Sequence, residues 1–371
     1  MRKRTRVLHI IQNLNYGGME RLLADIVRRA DRDRFESHVL VLQYLGRFAA
    51  GLSDVGTLHV ADRMPRISML WPSALVRQIA RIAPDVVHTH SGVWYKASLA
   101  ARYARVPRLV HTEHGRQTPD PWQARFVDRL ASHRTDIVVA VSDALARQLT
   151  ATVISPRCRM QVIYNGVDAD RFHPRRDTGV LRKQLGLDSS VPIIGSVGRL
   201  ERIKGYDVMI EAFAKLRARG GLDSSAVLVL GGEGSERTYL ETLAAKLGVR
   251  DAVYFLGWRD DIDDLHSAFT IFTLASRSEG TSVSLLEAMS AGLCPVVTDV
   301  GGNGMILGET LRHRLVPVEN ADELATAWDD ALTVSARREA DAAEARARVN
   351  QAFRLDSMVK KYERLYERLP E

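Results

Sequence analysis

The sequence predicts an α/β fold built from two doubly wound parallel sheets. Short apolar, β-branched runs alternate with amphipathic stretches along nearly all of its 371 residues. The alternation restarts after a polar stretch that contains Pro and Gly, residues 165–179. Near-continuous apolar strands separated by helices are typical of parallel sheets covered on both faces, so each half is expected to form one such sheet. The chain length also favours two domains over one.

The first half supplies the first sheet. Its opening helix shows the clearest period, because Leu22, Leu23 and Ile26 fall on one apolar side. Strands are expected at residues 7–11, 38–42, 85–88, 108–111, 137–141 and 161–164, and helices at residues 19–30, 73–82, 96–104, 121–131 and 143–150.

The second half repeats the pattern. Strands are expected at residues 193–197, 226–230, 253–256, 271–274 and 294–298, and helices include residues 206–217, 237–247 and 284–291. A last helix, residues 353–369, carries an apolar side. Ligands of doubly wound sheets bind at the carboxyl ends of the strands, so two facing halves predict one deep interdomain cleft.

The net charge of +7 is distributed unevenly. Residues 1–165 contain 25 Lys and Arg against 13 Asp and Glu, a balance of +12, whereas the remainder has a balance of −5. A basic first half predicts an anionic partner: a phospholipid surface, a lipid-pyrophosphate acceptor or an acidic glycan. An Arg-rich solvated surface without a partner is an equally good interpretation. No nucleic-acid partner is expected.

Cysteine usage and hydropathy bear on the compartment. Cys158 and Cys294 match no metal-ligand or redox spacing, which favours two buried thiols in a reducing compartment. The first apolar run is too short for a signal peptide, and no stretch reaches the length of a membrane span. We expect a cytoplasmic protein, and peripheral contact with the inner face of the membrane stays open.

The strongest chemical signal follows the expected strand at 271–274. Gly280, Thr281 and Ser282 lie where a strand gives way to a helix, so their N–H groups and the helix dipole predict a diphosphate site. Glu279 and Glu287 should lie on the order of 8–12 Å apart. Retaining glycosidases need carboxylates at ~5 Å. The two glutamates are therefore expected to bind different parts of one elongated ligand.

Three weaker signals accompany it. Arg199 and Lys204 follow the strand at 193–197, where two fixed cations could stabilise a diphosphate leaving group without a metal. Gly17 and Gly18 follow the first strand and permit close approach of phosphate, but the dinucleotide fingerprint is absent, which disfavours a nicotinamide dehydrogenase. His114 follows the strand at 108–111 and could bond a sugar hydroxyl, whereas a structural role suits His111.

Two other clusters resemble metal sites. The acidic run at residues 260–264 precedes a helix expected at 265–269, and helix capping explains it better than metal binding. His88 and His90 lack a partner carboxylate at a helical spacing, so zinc is not expected there.

Taken in order, these pieces resemble family 4 of the retaining GT-B glycosyltransferases over nearly the whole chain. The resemblance is carried by Gly17-Gly18, Thr112-Glu113-His114-Gly115, Tyr164-Asn165-Gly166-Val167-Asp168, Gly198-Arg199 with Lys204-Gly205, Gly231-Gly232-Glu233-Gly234, the pair Glu279 and Glu287, and Val300-Gly301-Gly302. It implies two facing Rossmann-like domains with a cleft between them. Residues 1–168 would form the acceptor side, joined by the final helix at 353–371, and residues 169–352 would bind the donor.

The resemblance also implies roles for individual residues. Arg199 and Lys204 would bind the donor diphosphate without a metal or cofactor, and Gly18 would close over the phosphates. His114 would lie near the anomeric centre, and Arg259 would border the nucleobase. The motif around Glu279 would divide its work: Glu279 would bind sugar hydroxyls, Gly280, Thr281 and Ser282 would present N–H groups, and Glu287 would hold the ribose.

The expected activity is retaining transfer of a hexose from a nucleoside-diphosphate sugar to a glycan or lipid-linked acceptor, in envelope polysaccharide, exopolysaccharide or glycolipid synthesis. Trp71, Trp94 and Trp122 could form an interfacial surface, stack on a sugar or belong to the core. A nucleotide-sugar 2-epimerase and a non-catalytic sugar-nucleotide or glycan-binding protein remain alternatives. A pyridoxal-phosphate phosphorylase is disfavoured, because none of the eight lysines has a convincing cofactor context.

Overall fold

A computed structural model describes residues 4–15, 17–62, 71–116, 121–220 and 225–367. The chain divides into two compact units. Unit 1 comprises Met1–Asn165 with Leu355–Glu371, and unit 2 comprises Gly166–Arg354. The divisions that the sequence placed after residues 168 and 352 lie close to these boundaries.

Unit 1 is built on a seven-stranded parallel sheet in the order β3-β2-β1-β4-β5-β6-β7. The strands are β1 Thr5–Ile11, β2 Phe35–Val41, β3 Thr57–Val60, β4 Val86–His90, β5 Arg108–Glu113, β6 Ile137–Ala140 and β7 Arg159–Val162. The helices between them are α1 Gly18–Arg29, α2 Ser73–Ile82, α3 Trp94–Tyr103, α4 Trp122–Ser132 and α5 Asp143–Thr152. The strand order reverses between β1 and β4, and doubly wound sheets bind ligands beside that point.

Unit 2 holds a second parallel sheet of six strands in the order β10-β9-β8-β11-β12-β13. Its strands are β8 Ile193–Val197, β9 Val227–Gly231, β10 Val253–Gly257, β11 Ile271–Leu274, β12 Cys294–Thr298 and β13 Leu315–Val316. Its helices are α6 Val180–Leu185, α7 Tyr206–Arg219, α8 Arg237–Lys246, α9 Ile262–Ala268, α10 Val283–Ser290, α11 Asn303–Leu307, α12 Ala321–Thr333 and α13 Ser335–Ala352. The order reverses between β8 and β11, which places the carboxyl ends of those two strands at the ligand-binding edge.

The last helix, α14 Leu355–Tyr366, belongs to unit 1 although it follows unit 2 in the chain. Its residues Tyr362 and Tyr366 are buried in one cluster with Val7 of β1 and Val86 of β4. This helix therefore covers one face of the first sheet and buries apolar strand residues that would otherwise face water.

Two expectations from composition concern the interior and the membrane. Cys158 and Cys294 are both free, buried thiols, which confirms that part of the prediction. Within the described residues, no helix combines the length and the apolar character needed to cross a bilayer.

Candidate functional site

In unit 2 a lysine and a glutamate meet at the carboxyl ends of two neighbouring strands. The Nζ atom of Lys204, in the turn after β8, lies 2.6 Å from Oε1 of Glu279, in the loop after β11. The hydroxyl of Ser276 donates to the same oxygen at 2.7 Å. The Glu279 side chain is 8% exposed and the Lys204 side chain 20%, so this contact is better shielded from water than a surface ion pair.

The backbone around this pair is closely packed. Gly205 is the N-cap of α7 and has a φ of +65°, and a Cβ atom there would lie 2.0 Å from the carbonyl oxygen of Ala275. Beside it, the N–H of Arg277 donates to the carbonyl of Ile203 at 2.8 Å, while its guanidinium bonds Asp207 at 2.8 Å. These contacts join the loop after β11 to the turn after β8, which fixes the positions from which the lysine and glutamate side chains extend.

A glycine pair after β12 supports the glutamate loop from another side. Gly301 has a φ of +56°, and a Cβ atom there would lie 1.8 Å from the carbonyl oxygen of Glu279. The N–H of Gly302 donates to the carbonyl of Gly280 at 2.8 Å. A side chain at position 301 would collide with backbone that cannot rotate away. Glycine at this position is therefore needed for the close packing of the Gly301-Gly302 motif against the glutamate loop.

Helix α10 begins immediately after the glutamate loop. The hydroxyl of Ser282 caps it by accepting from the N–H of Leu285. Glu287 lies in the second turn of this helix and is buried. The helix start thus lies where the sequence expected it, while the roles of Gly280, Thr281, Ser282 and Glu287 toward a ligand remain predictions.

The other two cations that were expected to bind the sugar nucleotide are arginines, and each bonds a neighbouring carboxylate. Arg199 follows β8 and lies 2.7 Å from Glu201, with half of its side chain exposed. Arg259 follows β10, donates to Asp261 at 2.7 Å and also bonds Gln184 at 2.9 Å. Of the expected cations, Lys204 alone contacts Glu279 within the described residues.

The acidic run at residues 260–264 lies at the start of a helix, as expected, and also forms ion pairs. Helix α9 begins at Ile262, three residues earlier than predicted, and Asp261 at its N-cap makes no side-chain capping bond. Asp261 pairs with Arg259, and Asp263 pairs with Arg171 at 3.1 Å and Arg175 at 2.7 Å. Hydrogen bonds from Arg259 hold the pKa of Asp261 below its usual value. Asp263 and Asp264 lie in the first turn of α9, where acidic residues favour the positive helix end as expected, and ion pairing adds to this role.

In unit 1, the expected residues lie at the ends of β1 and β5. Gly17 precedes α1, which begins at Gly18. His114 follows β5 and is half-buried. Its backbone N–H donates to the hydroxyl of Ser91 at 3.0 Å. His111 is fully buried: its ring stacks on that of Trp94 with 4.0 Å between centroids. The structural role expected for His111 therefore agrees with its position.

A cluster of buried histidines lies beside His114, and the sequence did not predict that His9 belongs to it. Nitrogen atoms of His9, His88 and His90 lie within 4.8 Å of one another, which makes this a geometric candidate for a metal site among the described residues. The sequence argued against a metal at His88 and His90 because no carboxylate lies at a helical spacing from them. That argument did not include His9. His9 comes from β1, whose register pairs it with His88 of the adjacent strand.

Both ring nitrogens of His88 already have hydrogen-bond partners. Its Nδ1 lies 2.7 Å from the hydroxyl of Tyr366 and its Nε2 lies 2.7 Å from the hydroxyl of Thr112. Burial lowers the pKa of His9 to about 3 and that of His114 to about 4, and it lowers the pKa of His88 well below its usual value. The cluster is therefore an array of neutral imidazoles at neutral pH.

A cavity of about 1140 Å³ opens at the same edge of the sheet in unit 1. Residues that follow β1, β2, β4 and β5 line it together with side chains from α3 and α4, among them Gln12, Gln43, Ser91, Lys96, Gly115 and Asp128. Neighbouring Glu113 is buried; burial alone would raise its pKa, but nearby His111 and the hydroxyl of Ser91 lower it to about 2. The cavity thus has a mixed polar and apolar lining and holds a carboxylate at its wall.

The three tryptophans of unit 1 differ in their exposure. Trp94 is a core residue: it is 2% exposed, and its indole N–H donates to Thr135 at 2.9 Å. Trp71 and Trp122 are 52% and 66% exposed, and Trp71 packs edge-on against Tyr103. Only the last two can belong to an interfacial surface.

Two doubly wound parallel sheets with these strand orders are typical of the GT-B class. Comparison with known proteins gives the family. The model for glycosyl transferases group 1 matches residues 177–348, and that for glycosyltransferase family 4 matches residues 16–171. The chain belongs to this family of glycosyltransferases.

Individual relatives agree with this assignment. N-acetyl-alpha-D-glucosaminyl L-malate synthase of Bacillus anthracis is 28% identical over 79% of this chain and 78% of its own length. UDP-Gal:alpha-D-GlcNAc-diphosphoundecaprenol alpha-1,3-galactosyltransferase of Escherichia coli is 28% identical over 66% of this chain and 65% of its own length. The crystal structure of Anabaena HepE in complex with UDP and glucose has a TM-score of 0.86 at 24% identity, covering 97% of this chain and 99% of HepE, and shows the shared fold.

Proposed function

We propose that this chain is a retaining glycosyltransferase that uses a nucleoside-diphosphate sugar bound by unit 2. The observation that carries the proposal is the contact between Lys204 and Glu279 at the ligand-binding edge of the second sheet. The ammonium would stabilise the charge that develops on the departing diphosphate, and the carboxylate would accept hydrogen bonds from sugar hydroxyls. The start of α10 beside them would add N–H groups and a partial positive charge.

Further contacts to the nucleoside-diphosphate sugar are proposed for four other residues. Arg199 is half exposed and, among the residues that the structure describes, is held only by a surface pair with Glu201, an interaction worth about 0–1 kcal/mol. It can therefore turn toward phosphate at little cost. Lys204 and Arg199 together would neutralise a diphosphate without a divalent ion. Glu287 would hold the ribose, Gly18 would cover the phosphates and Arg259 would border the base. HepE crystallised with UDP, which makes UDP the first nucleotide to test.

Retention is proposed from the resemblance to the retaining enzymes of family 4, and a step without a protein nucleophile is favoured because the carboxylate nearest the proposed sugar position is poorly suited to that role. Oε1 of Glu279 accepts hydrogen bonds from both Lys204 and Ser276, which lowers its electron density. In the proposed step, the bond from the anomeric carbon to phosphate breaks and the acceptor oxygen attacks from the same face. The acceptor's proton passes to the departing phosphate oxygen. His114 of unit 1 would lie near the anomeric carbon.

Unit 1 is proposed to bind the acceptor in the cavity at the ends of its strands, and a lipid-linked acceptor is favoured by a surface on α4. Trp122 and Phe126 are 66% and 59% exposed, and their four-residue spacing places them on one side of the helix. Arg125 and Arg129 are exposed on the same helix. Exposed aromatic and basic side chains on one helix suit an anionic membrane surface, and residues 1–165 carry a balance of +12.

The printed names of the two relatives show that acceptors differ within the family. The Escherichia coli enzyme is named for a diphosphoundecaprenol-linked sugar, and the Bacillus anthracis enzyme for L-malate. Our proposal is a glycan or lipid-linked acceptor at the cytoplasmic face of the membrane, in envelope polysaccharide, exopolysaccharide or glycolipid synthesis.

A thermal-shift screen of the full chain against UDP, GDP and ADP tests the donor proposal, because a ligand of the native state raises the melting temperature by mass action. We expect one nucleotide to do so in the presence of EDTA. The matching nucleotide sugar is then incubated with acceptor extracts, and NMR reports whether the product keeps the anomeric configuration of the donor. Inversion, or a requirement for a divalent ion, would contradict the proposal.

The same incubation distinguishes the alternative activities. A 2-epimerase would convert the donor in the absence of any acceptor, and a binding protein would leave it intact with every acceptor mixture. Stabilisation by none of the nucleotides would contradict the whole donor proposal.

Co-sedimentation with vesicles tests the surface on α4. The full chain should bind vesicles of phosphatidylcholine with phosphatidylglycerol, in a manner that weakens with salt, and should bind pure phosphatidylcholine less. Replacing Trp122 and Phe126 by Ser should abolish most of this binding. Tyr239→Ser is the matched control, since Tyr239 is an aromatic residue 52% exposed on α8 of unit 2. Equal loss in both variants would refute the assignment of the surface to α4.

A further inference from the structure

Helix α4 is packed against the protein far less than the helices beside it. Its buried residues are Ala131 and Ser132, the last two of its eleven residues, and residues 122–130 contain no buried side chain. In α3 and α5, by contrast, burial begins in the first turn, at Trp94 and at Leu145. Most of α4 therefore lacks the close apolar contacts that usually fix a helix on a sheet.

The space on the inner side of α4 explains this weak packing. Ala124, Val127 and Asp128 line the cavity of about 1140 Å³, so this side of the helix faces open space instead of a packed core. A side chain that borders a void has no partner atoms there and forgoes their dispersion energy. The cavity that is proposed to receive the acceptor thus has a weakly packed helix as one of its walls.

The C-terminal end of α4 is firmly anchored. Ala131 is buried in one cluster with Trp94 of α3. The hydroxyl of Ser132 lies 3.0 Å from the carbonyl oxygen of Val153 and accepts from the N–H of Ser155 at 3.0 Å. These contacts make the last two residues of α4 a fixed point about which the rest of the helix can turn.

The N-terminal end of α4 is held less well. Among the described residues, it has neither a side-chain cap nor an acidic residue in its first turn, and both would stabilise a helix start. Asp128 forms an ion pair with Arg116, and the two side chains are 18% and 8% exposed. Burial raises the pKa of Asp128 although Arg116 acts to lower it, so the ionised carboxyl group is less stable here than in water. The ion pair therefore holds α4 at a cost in desolvation.

The outer side of α4 carries the surface that is proposed to meet the membrane, with Trp122 and Phe126 exposed. Three further apolar residues, Ala124, Val127 and Leu130, are half-buried while the helix stays on the cavity. A displaced α4 would offer these residues to the bilayer interface as well. A membrane would thus bind the displaced helix more strongly than the seated one, which is the condition for shifting a conformational equilibrium.

We propose that α4 is a lid on the cavity of unit 1 and that binding of its outer side to an anionic membrane displaces it. The helix turns about residues 131–132, and the contact of Asp128 with Arg116 breaks as it moves. This inference rests on the proposed membrane surface and acceptor cavity, and it adds a link between them. The cavity opens where a lipid-linked acceptor is present, and the seated helix covers it elsewhere.

A fixed wall is the competing interpretation of α4. The membrane would then bind the helix in its seated position, and access to the cavity would be the same in water and on a vesicle. The wall formed by α3 is of this kind, because Val93 and Trp94 line the cavity and are each 2% exposed. Residues 122–130 have no such anchor in the core, which favours a helix that moves.

Pulsed electron paramagnetic resonance of the full chain measures the displacement directly. One spin label is attached at Gln123→Cys on α4 and the other at Thr150→Cys on α5, two exposed positions of unit 1. Cys158 and Cys294 are buried and should take up no label. Vesicles of phosphatidylcholine with phosphatidylglycerol should change the distance between the labels by about 5 Å or more, the rise of one helical turn. Vesicles of pure phosphatidylcholine should change it less.

A matched pair of labels shows whether the movement is confined to α4. Ala80→Cys on α2 with Thr150→Cys joins two exposed positions outside α4, and this distance should stay unchanged on the same vesicles. In the first pair, replacement of Trp122 and Phe126 by Ser should abolish the change.

Removal of the ion pair provides a second test, without any membrane. Arg116→Gln leaves the carboxylate of Asp128 at the cavity wall without this cation, which strongly destabilises a shielded charge. The pair of labels at positions 123 and 150 should then show part of the population at the changed distance in buffer alone. A single unchanged distance in this variant would count against the lid.

The outcomes separate the lid from the proposals on which it rests. An unchanged distance on vesicles that the chain binds would overturn the lid and leave the membrane surface standing. A change of equal size in the control pair would also overturn it, because unit 1 as a whole would have rearranged. Absence of vesicle binding would contradict the surface and the lid together. If the Gln123→Cys variant does not fold, Arg125→Cys places the label on α4. The measurement needs no substrate, so it decides the inference even for a chain that is inactive with every donor.

Discussion

The two units share a doubly wound topology but carry opposite chemistry at the carboxyl ends of their strands. Unit 1 presents neutral imidazoles there, His9, His90 and His114, together with a buried carboxylate. Unit 2 presents a charged pair, Lys204 and Glu279. The topology explains why both sets of side chains lie at strand ends, but it does not explain their charge. The charge depends on which residues occupy a few positions near the strand ends and in the loops that follow them.

This difference matches the division of labour that we propose. Phosphate carries full negative charge and is best bound by cations and helix N-termini, which unit 2 supplies. Acceptor hydroxyls are neutral and need hydrogen-bonding groups, which unit 1 would supply.

Acidification should destabilise unit 1 before unit 2. The pKa values of His9 and His114 in the folded chain, about 3 and about 4, lie below the ordinary value of 6.5, and that of His90 is also lowered. Between pH 6.5 and about 4 the unfolded chain therefore binds more protons than the folded chain, so stability falls as pH falls. Each such histidine should cost about 1.4 kcal/mol per pH unit.

Unit 2 should resist this range of pH. Although burial alone would raise it, hydrogen bonds from Arg277 lower the pKa of Asp207, and those from Arg259 lower the pKa of Asp261. Carboxylates with depressed pKa values contribute stability that is lost only below about pH 4. Hydrogen–deuterium exchange at pH 7 and pH 5, corrected for intrinsic rates, should show faster exchange in unit 1 alone. Loss of protection in unit 2 first would contradict the contrast.

Replacement of Gly301 by Ala should destabilise unit 2 by about 3 kcal/mol. The new Cβ atom would lie 1.8 Å from the carbonyl oxygen of Glu279, at a φ of +56° that disfavours side chains. Gly248→Ala is the matched control: its φ is +71° with no atom within 4 Å of the new Cβ, so only the backbone preference, about 1 kcal/mol, should be lost. Urea denaturation measures both. Equal costs would show that the contact between the two loops is unimportant.

Much of the fold could be predicted because most strands carry their own local signal. The expected strands at 193–197, 271–274 and 294–298 coincide with β8, β11 and β12. The strands that were missed, Thr57–Val60 and Leu315–Val316, are short edge strands. Each is stabilised by pairing with the strand that precedes it in the chain, and a local pattern of apolar residues does not record such pairing.

The residues of the candidate site were likewise predictable where their signal is local and were missed where it is not. Lys204 and Glu279 were found because each follows a strand and precedes a helix start, positions that a sequence shows directly. The neighbours His9 and Ser276 were missed. His9 meets His90 across 81 residues of chain, and only the strand order brings them together. Partners from adjacent parallel strands are always separated by a crossover, so spacing along the chain cannot identify them.

Lys204→Ala should weaken binding of the nucleoside diphosphate chosen in the screen by about 2 kcal/mol, or roughly 30-fold in Kd. The loss should vanish for the corresponding nucleoside, because the contact is to phosphate. Lys215→Ala is the control: Lys215 also forms a lysine–carboxylate pair in unit 2, 2.7 Å from Asp322, but this pair is exposed. Isothermal titration measures all four combinations. An equal loss for nucleoside and diphosphate would remove Lys204 from the proposed phosphate site.

Arg199→Ala should have the smallest effect, about 1 kcal/mol or roughly fivefold in Kd, since its guanidinium is half exposed and water screens its attraction to phosphate. For the same reason the effect should shrink as salt increases, whereas that of the better shielded Lys204 should persist. Arg312→Ala is the control, because Arg312 forms a similar exposed pair with Glu309 at 3.2 Å. A larger and salt-insensitive loss for Arg199→Ala would mean that binding encloses this arginine. The charged edge of unit 2 would then be completed by the ligand itself, unlike the edge of unit 1, whose imidazoles are already hydrogen-bonded to one another.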